Sequence, residues 1–189
     1  MQLKSASLTF RELSQQDFPL YRSVFSDEKV MRYAYHDKTD DETVLREQFD
    51  RLIEQSKLPK QTRPIYMFTV FEKQSREFVG IADIVMEFWH TEFCGEIGYF
   101  LLPKHWGKGY ASEMANALVD GFFGEMGLHR ICASCNSGNK ASERVMQKAG
   151  MTLEGVMRKA RYKDGSWYDE LRYAILFDEW NAKRSKPTE

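Results

Sequence analysis

Apolar side chains recur in two rhythms along this chain, and each change of rhythm marks an element. Leu45, Phe49, Leu52 and Ile53 fall on one face of a helix, opened by a Thr39 and Glu42 capping pattern and ending near Pro59. Ala111, Ala115, Leu118 and Phe122 form the inner face of a second long helix, and Ala141, Val145 and Ala149 that of a third, stopped by Gly150. Ser14 with Asp17 opens a short helix through about Phe25, and a loop containing Met31 to Lys38 follows it. The β-branched and aromatic runs Leu8 to Glu12, Ile65 to Phe71, Phe78 to Met86, Cys94 to Leu102 and His129 to Cys135 read as strands. Two long final strands flank the turn at Asp164 and Gly165, and the polar turn at Gln74 to Arg76 makes its neighbours an antiparallel hairpin.

The resulting order is β, α, α, three strands, α, β, α, β, β. It predicts an α/β (α+β) fold: a mixed sheet of about six to seven strands flanked by four helices. The strand ending near Leu102 and the strand His129 to Cys135 are joined by a helical crossover, so they should run parallel. Ligands bind where such strands end and diverge, which puts the cleft beside Phe100 to Leu102 and the C-terminal end of the later strand. One domain over residues 1–184, with a polar tail at 185–189, is the expectation.

Composition narrows the function classes. The formal net charge of −1, from 27 basic and 28 acidic side chains, gives no overall pull toward nucleic acid or an anionic membrane. No apolar stretch reads as a membrane span or signal segment, so a cytoplasmic protein is expected. Cys132 and Cys135 lie an odd number of residues apart on a strand, so they face opposite ways and read as structural thiols. His36, His90, His105 and His129 have no partners at ligand spacing, so no metal is expected.

The segment Trp106 to Ala111, WGKGYA, joins a strand to a helix. A helix begins with about four unpartnered N–H groups and roughly half a positive charge, which suits a phosphate. Gly107 and Gly109 let the backbone turn tightly there, and Lys108 adds a cation. A triphosphate loop would need GxxxxGK followed by Ser or Thr, which is absent, and a dinucleotide loop would need a third glycine or alanine where Ser112 stands.

A third phosphate loop does match. GEIGYFLLP, WGKGYA, NKASERVMQKAG and LEGVMR, with DG and YDE downstream and LTFREL near the start, resemble in order and spacing the GNAT N-acetyltransferases. The similarity is strongest to the RimJ/RimL branch that acetylates protein N-terminal amines. It implies the GNAT fold, with a parallel central pair that splays at the cleft, acetyl-CoA as co-substrate and, as a family expectation, a homodimer. By resemblance the diphosphate would lie against Trp106, Gly107, Lys108, Gly109, Tyr110, Ala111 and Ser112. Pantetheine would run along Phe100, Leu101 and Leu102, and Asn139 would orient the cofactor arm, unless it serves only as a helix cap.

The implied chemistry needs a neutral amine and a proton for the departing thiolate. A protein α-amine has an unperturbed pKa of ~7.7–8.0 against ~10.4 for lysine, so an α-amine asks roughly 3.5 kcal/mol less of the base. Glu96, on the strand entering the cleft, is the first candidate base, and Glu154 the second. Many members of the family place a tyrosine seven residues past the asparagine; here Met146 stands there, and the branch suggests Ser142 as the group that serves the thiolate. Phe88, Trp89, Phe93, Tyr99, Trp167 and Tyr168 are candidates for a pocket floor or for packing, and Tyr33, Tyr35 and His36 for the acceptor entrance, with Glu28, Asp40 and Asp41 as acidic groups near it. The acceptor is then a protein N-terminus or a small-molecule amine. A non-catalytic acyl-CoA-binding module is the reading from another class.

Overall fold

The computed structural model describes residues 2–89 and 92–184, and the side chains of all of these except 87–89 and 92. Seven strands form one sheet in the order β1-β2-β3-β4-β5-β7-β6. They are β1 Leu8–Glu12, β2 Ile65–Glu72, β3 Phe78–Trp89, β4 Glu92–Leu101, β5 Arg130–Asn136, β6 Thr152–Lys163 and β7 Ser166–Leu176. Six helices accompany them: α1 Phe18–Phe25, α2 Glu28–Met31, α3 Glu42–Ser56, α4 Tyr110–Met126, α5 Lys140–Lys148 and α6 Phe177–Arg184.

Every neighbouring pair is antiparallel except β4 and β5. That parallel pairing is brief: Cys94, Gly95 and Glu96 lie beside Arg130, Ile131 and Cys132. Beyond Glu96 the two strands part, because β4 stays paired with β3 to Leu101 while β5 stays paired with β7 to Asn136. The splay leaves main-chain groups of both strands facing a gap, the position expected for the cleft.

Two apolar cores hold the sheet. On one face α4 buries Met114, Leu118 and Phe122 against Phe68, Ile84, Ile97 and Ile131, and α5 adds Met146. On the other, α1 and α3 bury Phe18, Tyr21, Leu45 and Phe49 against Ile81. Each such fully buried side chain contributes about 1.5–3 kcal/mol, so both faces of the central strands are strongly pinned. β5 alternates as its sequence predicts: Ile131, Ala133 and Cys135 are buried, and Cys132 faces the other way, partly exposed.

The sequence reading needs correction at its helix ends. α3 is capped by Asp41, whose carboxylate accepts from the N–H groups of Thr43 and Val44, and the Thr39 hydroxyl instead accepts from the Asp41 N–H. A charged acceptor beats a hydroxyl at a helix start. Six helices replace the expected four. The single turn α2 is capped by Asp27, and α6 touches the core through Phe177 and Trp180 alone, so neither displays enough apolar positions to show a period. The expected tail at 185–189 lies outside the described residues, as does His90.

One irregularity shapes the site. Met157 pairs with Glu170 and Arg161 with Tyr168, so Arg158, Lys159 and Ala160 bulge opposite Asp169. Lys159 takes a φ of 53°, and its N–H donates to the Asp169 carboxylate at 2.9 Å. Bulges re-aim the strand that carries them. Before this one β6 is exposed at nearly every position; after it Arg161 and Lys163 are buried.

Candidate active site

Two cavities meet in the splay. The larger, about 740 Å³, runs over the start of α4 and is lined by Leu101, Trp106, Gly107, Gly109, Ala111 and Ser112 on one side and by α5 on the other. The smaller, about 310 Å³, lies over β3, β4 and β5 beneath the segment from Tyr33 to Tyr35. Tyr99, Phe100, Asn139 and Ser142 line both, so a ligand in one meets a ligand in the other there.

The larger cleft is built mainly from backbone. Gly107 and Gly109 have φ of 77° and 85°, and nothing lies within 4 Å of where a Cβ would stand on either. It is therefore the left-handed conformation that calls for glycine, and the space in front of the loop stays open. Gly109 caps α4, so the first-turn N–H groups and the positive end of the helix dipole face the cleft. Tyr110 turns its side chain inward to bond Glu72, and the Lys108 ammonium sits 5.9 Å from the Tyr110 ring. Lys29, Arg32, Arg144 and Lys148 add cationic groups to the cleft lining, a rim the sequence reading missed because it comes from α2 and α5. The whole is suited to a long polyanion.

On β4 the alternation of the ladder decides which residues can pair with a ligand. The Leu102 N–H donates to the Val79 carbonyl at 3.0 Å, so in this register the groups of Leu102 and Phe100 serve β3, while those of Leu101 and Tyr99 face the gap. Leu102 packs with the α1 and α3 core and does not line the cleft, which corrects its expected place in the pantetheine track. Phe100 lines both cavities with its ring against Phe25, at 5.4 Å between centroids. The Trp106 indole donates to the Leu101 carbonyl at 2.8 Å, at the end of the open edge of β4.

Where the cavities meet, Asn139 caps α5: its Oδ1 accepts from the Ser142 N–H at 3.1 Å. The Ser142 hydroxyl lies 2.8 Å from the Tyr99 phenol oxygen. Burial pushes the Tyr99 phenol well above its ordinary pKa, so it stays protonated. Tyr99 thus brings a phenol from β4 to the point where the cavities meet, although Met146, at the usual tyrosine position, is buried in the core. Burial also raises the Cys135 thiol to about 11, which makes it inert as a nucleophile.

The smaller pocket is built from side chains of distant segments. Glu96, at the last residue of the parallel pairing, accepts a hydrogen bond from the Ser134 hydroxyl. Ser134 lies 3.0 Å from the Tyr35 hydroxyl, which donates to Glu170 at 2.7 Å. Glu170 is buried and also accepts from Arg161 at 2.7 Å and from Arg172 at 3.1 Å. Arg161 stacks 3.6 Å from the Tyr35 ring and donates to the Tyr33 carbonyl, and Lys163 donates to the His36 carbonyl and pairs with Asp37. These two post-bulge cations clamp the segment Tyr33 to Asp37 over the pocket. Asp83, cross-strand from Gly98, is the other carboxyl of the pocket wall; burial and the nearby Glu96 charge push it up to about 7.

Other candidates lie elsewhere. Glu154 is bound by Arg130, outside both cavities. Trp167 and Tyr168 are exposed on the β6–β7 hairpin, with Trp167 against Tyr162, and Phe93 is exposed; of these six aromatics, Tyr99 is the one whose described side chain lines the two meeting cavities, Phe88 and Trp89 lying outside the described side chains. Asp41 caps α3, Asp40 pairs with Lys38, and Glu28 opens α2. Among the described residues no group of three or more His, Cys, Asp or Glu could hold a metal ion, and no helix is long and apolar enough to cross a membrane.

The family description "Acetyltransferase (GNAT) domain" matches residues 7–152. The chain belongs to the GNAT acetyltransferase family. As an acyltransferase of this family it is 30% identical over 175 residues to an uncharacterized N-acetyltransferase, YoaA of Bacillus subtilis, covering 92% of this chain and 96% of that one. Another relative from B. subtilis, YnaD, is 46% identical over 101 residues, 53% of this chain and 59% of that protein's length. Among solved structures, a GNAT-family acetyltransferase from Bacillus anthracis superposes with a TM-score of 0.78 at 33% identity, covering 94% and 99% of the two chains. The spermidine N-acetyltransferase of Vibrio cholerae, solved with CoA and spermine, shares the fold at a TM-score of 0.81 and 21% identity, covering 93% and 98%.

Proposed function

We propose that this GNAT protein transfers acetyl from acetyl-CoA to a primary amine by direct attack within a ternary complex, in the cytoplasm. The observation that carries this is the meeting of the two cavities at Tyr99, Phe100, Asn139 and Ser142, which lets donor and acceptor share one reacting point. In this reading the diphosphate of acetyl-CoA lies on Trp106 to Ser112, with pantetheine along the open edge of Tyr99 and Leu101. Glu96 stands on the amine side and Ser142 on the sulfur side.

A thiolate leaving group has a pKa of ~8.5, below even an unperturbed phenol at ~10, so full proton transfer from Tyr99 would be uphill by more than about 2 kcal/mol. Ser142 and Tyr99 therefore act as hydrogen-bond donors to the departing sulfur, Tyr99 through Ser142. The proton that the thiolate finally takes is one the attacking nitrogen must lose.

The acceptor we favour is a protein N-terminal α-amine. The chain's motif similarity to the N-terminal acetyltransferase branch supports it, as does the low cost of neutralising such an amine. A small cationic amine is the second reading, favoured by a pocket of about 310 Å³ that bears Asp83 and Glu96. Thiol release from acetyl-CoA, measured with N-terminal peptides, free lysine and spermidine, tests both. Turnover with peptides above that with the small amines supports the first reading, and the reverse order supports the second. Tight CoA binding without turnover on any amine would instead mark a binding module.

A further inference from the structure

We propose that Asp83 takes the proton from the acceptor's ammonium group, with Glu96 beside it as the fixed negative charge that draws the ammonium in. This deepens the reading above and rests on it.

Asp83 lies on β3, one strand in from the splay, with 8% of its surface exposed, and it lines the smaller pocket together with Glu96. Its cross-strand neighbour is Gly98. A Cβ at Gly98 would stand 2.7 Å from the Asp83 carboxylate, so the absence of a side chain there is what leaves that carboxyl its place in the wall. Among the described residues no donor bonds to it and no cation pairs with it. The other carboxyl of the pocket wall differs, since Glu96 accepts from Ser134, and Glu170, behind Tyr35 and Arg161, is bound by Tyr35, Arg161 and Arg172. A buried carboxyl without a partner is costly unless it serves a ligand, and an ammonium ion is the ligand that answers both it and Glu96.

The groups that face Asp83 are Glu96 from β4 and the Tyr21 phenol from α1, with Tyr35 and Arg161 lining the same pocket. Tyr21 is itself raised by burial to about 12 and stays neutral. Burial is the larger cause of the raised Asp83 pKa and the negative Glu96 neighbour adds to it, which matches Asp83 to neutral pH. Proton transfer from an α-amine to a carboxylate so tuned is unfavourable by only about tenfold, against more than a thousandfold for an ordinary carboxylate.

The step balances. An ammonium N–H bond breaks and its proton goes to the Asp83 carboxylate. The freed lone pair forms the N–C bond at the thioester carbonyl, the C–S bond breaks with its electron pair on sulfur, and a second N–H proton passes to that sulfur to give the thiol. Asp83 returns its proton to solvent.

The test compares two amines in wild type and Asp83→Asn: the best acceptor found and trifluoroethylamine, which is already neutral at pH 7. The substitution should lower kcat about 10²–10⁴-fold for the basic amine and less than tenfold for trifluoroethylamine, with unchanged CoA affinity by calorimetry. Equal losses for both amines, or no loss, would overturn the proposal and leave the acetyltransferase reading intact. No acetyl transfer by wild type to any amine would overturn both. Glu96→Gln gives a second measurement that does not depend on the Asn variant folding. With Asp83 as proton acceptor, the acid limb of kcat/KM, near pH 7 in wild type, moves to lower pH when the Glu96 charge is removed. Loss of that limb in Glu96→Gln would make Glu96 the base and overturn the assignment.

Discussion

The larger cleft, proposed for the donor, and the smaller pocket, proposed for the acceptor, share a wall but are made in opposite ways. One wall of the cleft is a nearly continuous stretch of chain, from Tyr99 through the start of α4, and its central groups are backbone: positive-φ glycines, a helix N-terminus and the open edge of β4. The pocket gathers Tyr33, Tyr35, Asp83, Glu96, Ser134 and Arg161 from five segments, and its groups are side chains whose charge depends on burial. A site made of backbone tolerates drift in neighbouring side chains. A site made of buried charges depends on every partner.

The largest test of that difference is Glu170. Burial alone would raise its pKa, but hydrogen bonds from Tyr35 and Arg161 and the charges of Arg161 and Arg172 outweigh burial and hold it below 4.5. Its stabilising contribution is therefore full above pH 4.5 and is lost as pH falls through the lower native value. Glu170→Ala leaves Arg161 buried and unpaired, so denaturant unfolding at pH 7 should show a loss of about 3–5 kcal/mol. Where the variant is still folded, the KM for the acceptor should rise more than that for acetyl-CoA; equal changes would show that the two regions are not separable.

Ser142→Ala works at their junction. Removing a hydrogen bond to a charged leaving group costs about 1.5–3 kcal/mol, so kcat should fall about 10- to 150-fold with little change in the KM for acetyl-CoA. An unchanged kcat removes Ser142 from the chemistry. On the donor side, Gly109→Ala forces a Cβ into the left-handed region at a cost of about 1–2 kcal/mol, and calorimetry should show CoA binding weakened roughly 5- to 30-fold. The acceptor KM should hold. The smallest effect is at the cationic rim: Lys148→Ala should weaken CoA binding by less than about 1 kcal/mol at low salt, and the difference should fade as salt is raised.

These contrasts follow what could be read from the residues alone. The order of elements along the chain, the parallel central pair and the tight turn at Gly107 and Gly109 were all legible, because periodicity and turn chemistry are local. Asn139 was legible as a helix cap, and the structure displays that role. Tyr99 was legible only as one aromatic among several, since nothing in its own neighbourhood says that α5 will bring Ser142 within 2.8 Å of it. Leu102 was misassigned because the outward face of β4 is set by which groups bond β3, a property of register. Asp83 gave no signal at all: one acidic residue in a β run looks like a solvent-facing position until Gly98 stands opposite it and Glu96 lines the same pocket.

The YDE run shows the same division within three residues. As a string it supports a family resemblance. In the fold Tyr168 is surface, Asp169 holds the bulge through the Lys159 N–H, and Glu170 becomes the anion around which Tyr35, Arg161 and Arg172 assemble.

By itself, then, the amino-acid sequence determined the architecture and the glycine turn before α4, because helix starts, left-handed glycines and strand alternation are consequences of a few adjacent residues. The tertiary structure alone decided which side chains face the acceptor and how their protons are held. That depends on the brief β4–β5 pairing, the β6 bulge and the burial they impose, and a carboxyl's pKa is a property of its surroundings before it is a property of its residue.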